Sequence, residues 1–208
     1  MSKVLISPFR PVYPTPAALI TSVAADGRAN IITLGEVYNL SLRTPTIVGI
    51  SIGKARYSHE LISQSREYVV NLPTTALLEA VDKCGSVSGR FVDKFSAFGL
   101  TALPASVVAP PLIAECPVNI ECRVIAIEET GDHDIFQGLV VAVHVDDALL
   151  DEQGRVRIDR LDPICFMYGH NAPGEYWSLG HKLADLRYTQ RRGRIRIPIK
   201  VIRHNDSV

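Results

Sequence analysis

The chain is expected to fold mainly as β structure, as an antiparallel barrel with inserted helices. Three observations carry this expectation. Two long runs of strand composition, residues 118–129 and 134–147, are joined by only residues 130–133. An Asp26-Gly27 pair stands between two β-compatible segments, the mark of a tight hairpin. Helical stretches interrupt the strands without regular βαβ alternation, which argues against a doubly wound sheet.

The elements follow in order. Residues 1–16 carry Pro8, Pro11, Pro14 and Pro16 and are expected to form an extended arm. After the hairpin, residues 48–52 supply a third strand. Residues 55–65 switch to a helical period, with Ser58 as expected cap, Glu60 in the first turn, and Leu61 and Ile62 facing inward. Residues 67–73 return to a strand that stops at Pro73. Residues 74–85 are expected to form a second helix, capped by Thr75 and closed by Gly85. Its apolar face is Leu77, Leu78, Val81 and Cys84. A polar loop follows, then one short helical turn capped by Asp93 and ended by Gly99. Beyond the two long strands, residues 162–168 form a weak strand. From Asp185 the chain turns basic, with Arg187, Arg191, Arg192, Arg194, Arg196, Lys200 and Arg203 alternating in part with Ile195, Ile197, Ile199 and Val201. This tail is read as a solvated or edge strand rather than a nucleic-acid contact. The expected organisation is a barrel domain over residues 1–184 and a C-terminal extension over 185–208.

A length of 208 residues suits one domain, and 47% hydrophobic residues can fill a sizeable core. Lys+Arg and Asp+Glu both number 22, a balance that argues against general nucleic-acid binding. No apolar run has the length of a membrane span, and the proline-rich start does not resemble a signal peptide. The four cysteines (Cys84, Cys116, Cys122, Cys165) make no CxxC pair and no zinc spacing. Cys84 and Cys122 fall on apolar faces and are expected in the core. The expectation is a cytoplasmic protein with reduced thiols and no metal, membrane or nucleic-acid partner.

Common nucleotide and zinc-protease signatures are missing: no GxGxxG, no GxxxxGK[ST] and no HExxH. What remains is a set of polar segments at strand ends. They are Thr33, Leu34, Gly35 and Glu36; Ser51 to His59, with Lys54, Arg56 and Ser58; Asn71; and Ser86, Ser88, Gly89, Arg90 and Lys94. Hydroxyls, cations and helix starts together suit a phosphate, because N–H and O–H groups donate and the cations neutralise.

In order over roughly residues 12–180 stand PTPAALITSV, the hairpin leading to Asn30, KARYSHELI, EYVVNLP, CGSVSGRFVDKF, APPLIAECPVNIEC and GDHDIFQGLVVAVHV. This succession resembles the flavin reductase-like family of FMN-binding split barrels, which includes flavoredoxins. The resemblance implies a six-stranded antiparallel Greek-key barrel, a homodimer, and a flavin near the subunit interface. FMN is the implied cofactor, with FAD as the alternative, and NAD(P)H is the implied electron donor. By similarity, Thr33, Leu34, Gly35 and Glu36 border the flavin, and Ser51 and Ile52 line its ring. Arg56, Ser58 and His59 reach the ribityl chain and phosphate. Asn71 and Leu72 face the ring edge, and Ser86, Ser88 and Lys94 hold the phosphate. Asp132 and His133 resemble a segment near the nicotinamide site, although Gly131-Asp132 also suits a plain turn. Tyr176 and Trp177, with His181 and Lys182, either cover the flavin or anchor the tail. Many relatives carry Trp near Glu36, and this chain does not.

The activity so implied is hydride transfer from NAD(P)H to flavin N5, with electrons passing to a small-molecule or protein acceptor. Such a step needs alignment, so no side chain is assigned as a catalytic acid or base. Two other readings stand beside it. One is a flavoredoxin-type electron carrier fed by a partner protein. The other is a flavin-free barrel that serves as an interaction module.

Overall fold

The computed structural model describes residues 1–10, 12–186 and 188. The strands are β1 (Thr15–Pro16), β2 (Ala18–Val23), β3 (Ala29–Leu34), β4 (Val37–Leu42), β5 (Thr46–Gly53), β6 (Glu67–Leu72), β7 (Ala102–Leu103), β8 (Leu112–Ile113), β9 (Val118–Thr130), β10 (His133–Val145), β11 (Ile164–Tyr168) and β12 (Gly174–Ser178). The α-helices are α1 (Tyr57–Ser65), α2 (Leu78–Ser86) and α3 (Lys94–Phe98). The basic tail expected to form an edge strand lies outside the described residues, apart from its first few positions.

The main sheet is antiparallel and has seven strands, in the order β3-β2-β6-β9-β10-β5-β4. Six were expected, and the addition is β4. It lies at the sheet edge with several side chains in solvent, including Leu40 and Leu42. It therefore lacks the in-out alternation that marks a half-buried strand. The sheet is rolled on itself. Ile32 and Leu34 from one edge strand share a core with Val37 from the other, together with Ile20, Ile50, Ile52, Tyr68, Val70 and Phe136. The two edge strands are joined by only Gly35 and Glu36, so the opening of the barrel falls where the chain passes between them.

Both faces of the wall near that opening are covered. Leu19 and Ile31 point outward from β2 and β3 and pack with Val81, Cys84 and Phe95 of α2 and α3. This is why β2 is buried almost throughout and shows no alternation. On the outer face of β6, Val69 packs with Val108 of the loop before β8 and Leu112 of β8. A small sheet, β1-β11-β12, carries the end of the N-terminal arm against the expected weak strand.

Local structure departs from expectation at several helix or turn positions. Only Gly27 of the hairpin pair has a positive φ, +85°, and Asp26 instead accepts the Arg28 N–H. Ser58 lies inside the first turn of α1 and does not cap it; Arg56 is the N-cap, with no side-chain hydrogen bond. Thr75 opens a 3-10 turn, its hydroxyl donates to Asp162, and Gly85 lies within α2 rather than after it. Leu78 of that helix is substantially exposed, so its inner face is Val81 and Cys84. Asp93 does cap α3, accepting from the N–H groups of Phe95 and Ser96. All four cysteines are buried and unpaired. Among the described residues no helix is long and apolar enough to cross a membrane.

Candidate functional site

A cavity of about 630 Å³ opens at the break between β3 and β4, within the roughly 300–1,000 Å³ common for ligand pockets. Several chain segments build it. The end of β3 and its link supply Thr33, Leu34, Gly35 and Glu36, and the start of α1 supplies Arg56, Tyr57 and Ser58. The end of α2 and its loop supply Ser86, Ser88 and Gly89, and β10 supplies His133. Lys94 closes the base from α3.

One wall is rich in donors. At the head of α1 the His59 N–H bonds the Arg56 carbonyl, but the Tyr57 and Ser58 N–H groups have no backbone acceptor among the described residues, and the N-cap provides no side-chain acceptor. Ser58 is buried, and its Oγ accepts from Asn30 Nδ2 at 2.7 Å while donating to no described residue. Its hydroxyl proton is thus free for a ligand oxygen. Lys94 is also buried, and its Nζ donates to the carbonyls of Ile31 and Cys84, both at 2.6 Å. An ammonium has three protons, so one is uncommitted among the described residues. Burial holds the Lys94 pKa below its ordinary value. The Cys84 thiol, also at the wall, is pushed up to about 11 by burial and is a neutral thiol at physiological pH.

Asn30 lies behind this wall, and its place in the site was not anticipated. Its side chain holds Ser58, and its Oδ1 is buried with no hydrogen-bond partner. Gly89 packs directly on it: a Cβ there would lie 1.8 Å from Asn30 Oδ1, so the loop after α2 can approach only as glycine.

The other side is aromatic. Phe166 and Tyr168 lie two apart on β11, and Tyr176 of β12 pairs with Phe166, so all three share one face of the small sheet. Trp177 and its side chain therefore point the other way and are absent from the cavity. His181 and Lys182 are exposed and also lie outside it. Tyr176 donates to Asp82 at 3.3 Å, and burial helps push its pKa up to about 12. Glu36 pairs with Arg10 at 2.6 Å, and the Arg10 guanidinium stacks over Tyr168 at 3.1 Å. Arg10 belongs to the arm and Phe166 to the weak strand. Nothing local in the sequence marked either as a lining residue.

At the cavity mouth, His133 Nδ1 lies 2.9 Å from Asp132, and its Nε2 has no partner among the described residues. The hydrogen bond and charge of His133 hold the exposed Asp132 carboxyl below its ordinary range. Asp134, one residue on, faces the other way and lies 2.7 Å from His59 Nε2. The hydrogen bond from His59 lowers the Asp134 pKa, with Lys54 adding to the effect.

The structure thus gathers Thr33, Leu34, Gly35, Glu36, Arg56, Ser58, Ser86, Ser88, Lys94 and His133 at one cavity. It does not bring the remaining candidates there. Ile52 is fully buried inside the barrel, and Leu72 packs on the same core. Ser51 is buried, with its N–H bonded to the Glu36 carbonyl. Asn71 is committed to an internal network with Leu19, Ile113 and Asn119. His59 is tied to Asp134, and Asp132 is exposed beside His133. The donor set fits a ligand with an anionic end and a planar ring: cations, hydroxyls and helix N–H groups on one wall, aromatic faces on the other.

Residues 10–168 match the family model described as Flavin reductase like domain. A curated Archaeoglobus fulgidus protein, described only as uncharacterized, is 39% identical over 140 residues, 67% of this chain and 77% of its own length. The flavoredoxin of Desulfovibrio vulgaris (Miyazaki F) superposes with a TM-score of 0.82 at 29% identity, covering 91% of this chain and all of that one. An FMN-binding protein from Thermus thermophilus, solved with 1-cyclohex-2-enone, gives a TM-score of 0.72 at 26% identity over 89% of this chain and 100% of that one.

Proposed function

The chain belongs to the flavin reductase-like family, and on that premise we propose that it is an FMN-binding oxidoreductase that accepts a hydride from NAD(P)H. The observation that carries the reading is the junction of an anion wall and an aromatic wall in one cavity. Lys94, Ser58, Ser86 and Ser88, with the first turn of α1, would hold the phosphate. Arg56 adds charge at the same wall. Phe166, Tyr168 and Tyr176 would border the ring. The flavin supplies two-electron redox chemistry when bound. The residues' work is to bind and orient it and to limit water access, with no acid or base required of them. His133 would orient the donor, because Nε2 is free and Asp132 fixes the other nitrogen. FAD remains the alternative cofactor.

The first test is an absorbance spectrum of the purified protein, followed by NADH or NADPH without oxygen. A yellow protein that bleaches promptly is the expected result. A colourless one that ignores added FMN and FAD would refute the flavin reading. The likeness to flavoredoxin favours a second reading, an electron carrier fed by another protein. That reading predicts yellow protein that stays oxidised with either nucleotide. We also propose a homodimer with the flavin near its interface, on the family resemblance, and light scattering tests it.

A further inference from the structure

We propose that a second cavity, beside the first, receives an adenosine-phosphate unit. The proposal rests on the flavin reading and extends it. The second cavity holds about 370 Å³ and shares Tyr57 and Gly89 with the first. The shared residues are the point of the argument. Ser86 and Ser88 end the anion wall, and Gly89 is the next lining residue, common to both spaces. A ligand whose phosphate rests on that wall can therefore continue past Gly89 into the second cavity.

The lining suits what would arrive. Arg28 and Arg90 supply two guanidinium groups, and Tyr57, Phe91 and Phe95 supply aromatic surface. Phe91 is 87% exposed, a large ring with almost nothing over it. Arg90 lies 4.5 Å from the Tyr57 ring, so charge and π-surface already meet there. Purines stack on such rings, and arginine forks match phosphate oxygens. Both arginines now pair with exposed carboxylates, Arg28 with Asp26 and Arg90 with Glu60. Exposed pairs of this kind hold weakly and can exchange for a phosphate. The one acidic lining residue, Asp93, is occupied in capping α3.

An adenosine phosphate is what FAD carries beyond FMN, and it is also the far half of NAD(P)H. The chemistry is the same, and the experiment separates the sources. Phe91→Ala and Arg90→Gln are compared with the native chain for FMN and FAD binding by fluorescence quenching, and for the KM of NADH and NADPH. Phe91 is exposed, so its removal leaves the fold intact. The expected result is a loss of about five-fold or more, the low end of base stacking on an aromatic, with FMN affinity unchanged. A loss in FAD binding identifies the flavin as the source, and a rise in KM identifies the pyridine nucleotide. The proposal is overturned if all these quantities stay within about two-fold of native or if FMN weakens in step with them. Native chain that binds neither flavin would instead remove the flavin reading on which it rests.

Discussion

Two regions of this barrel bury polar side chains under a loop, and they differ in what is left over. Over β6, β9 and β10, Glu121 is fully buried. It accepts the N–H groups of Ser106 at 2.7 Å, Val107 at 2.7 Å and Val108 at 3.0 Å, and lies 2.6 Å from His144 Nε2. Asn71 beside it accepts from Ile113 and Asn119 and donates to the Leu19 carbonyl. Each group there is satisfied. At the cavity, Asn30, Ser58 and Lys94 are as deeply buried, yet Asn30 Oδ1 has no donor and the Ser58 hydroxyl no acceptor. An unpaired buried polar group costs about 1–3 kcal/mol. A saturated network is structure; one with spare capacity at a cavity wall is kept for something that binds.

The sharpest way to break that contrast is Glu121→Ala. It would orphan three backbone N–H groups, and a stability loss of about 3–5 kcal/mol is expected in urea denaturation. Flavin affinity of the folded fraction should not change. The pH dependence gives the same contrast a sign. Burial alone would raise the Glu121 carboxyl, but its backbone donors and His144 outweigh this and hold it below its ordinary 4.5. Such a group stabilises the fold above its unfolded value and loses that contribution as pH falls through the folded one. The native chain should therefore lose stability faster than Glu121→Gln as the pH drops below about 4.5. Parallel curves would show that Glu121 has no such role.

Lys94 tests the other half. Lys94→Ala should weaken FMN binding by about 1.5–3 kcal/mol, the range for hydrogen bonds to charged groups. Unchanged affinity would take it out of the site. Lys94 also holds two carbonyls, and Lys94→Met keeps the side-chain volume while removing the charge and both donors. Its packing is retained, so it should lose less thermal stability than Lys94→Ala, while FMN affinity of the folded fraction falls to a similar extent. Affinity in the native chain should also drop on the alkaline side, since burial lowers the Lys94 pKa and its charge is lost earlier than that of a free lysine.

How much of this was legible in the sequence depends on the range of the signal. The two long strands, the hairpin, the Asp93 cap and the buried faces of α1 were visible because each follows from neighbours a few residues apart. The polar segments at strand ends were visible as candidates, and ten of the named positions meet at the cavity. The misses are of three kinds. β4 was hidden because an exposed edge strand has no alternation. Ile52 and Asn71 were drawn toward the site by adjacency to it along their strands. Their side chains point into the barrel or into an internal network. Arg10, Asn30 and Phe166 were missed as site residues because only the three-dimensional fold brings the arm, β3 and β11 to one opening.

His133 carries the smallest expected effect and the finest distinction. Its neighbours along β10 alternate faces: His133 opens to the cavity while Asp134 turns to His59. The imidazole touches none of the anion wall, so His133→Ala should leave FMN affinity as it is. Its free Nε2 at the mouth would contact the nicotinamide donor, and one such hydrogen bond is worth about 0.5–1.5 kcal/mol. A rise of several-fold in KM for NAD(P)H, with the flavin spectrum unchanged, is the expected outcome in steady-state assays. Equal turnover by the variant would make the Gly131-Asp132 pair a turn and nothing more. Weakened FMN in the same variant would instead extend the anion site across the opening, and the division of the cavity into a wall that holds and a mouth that admits would be lost.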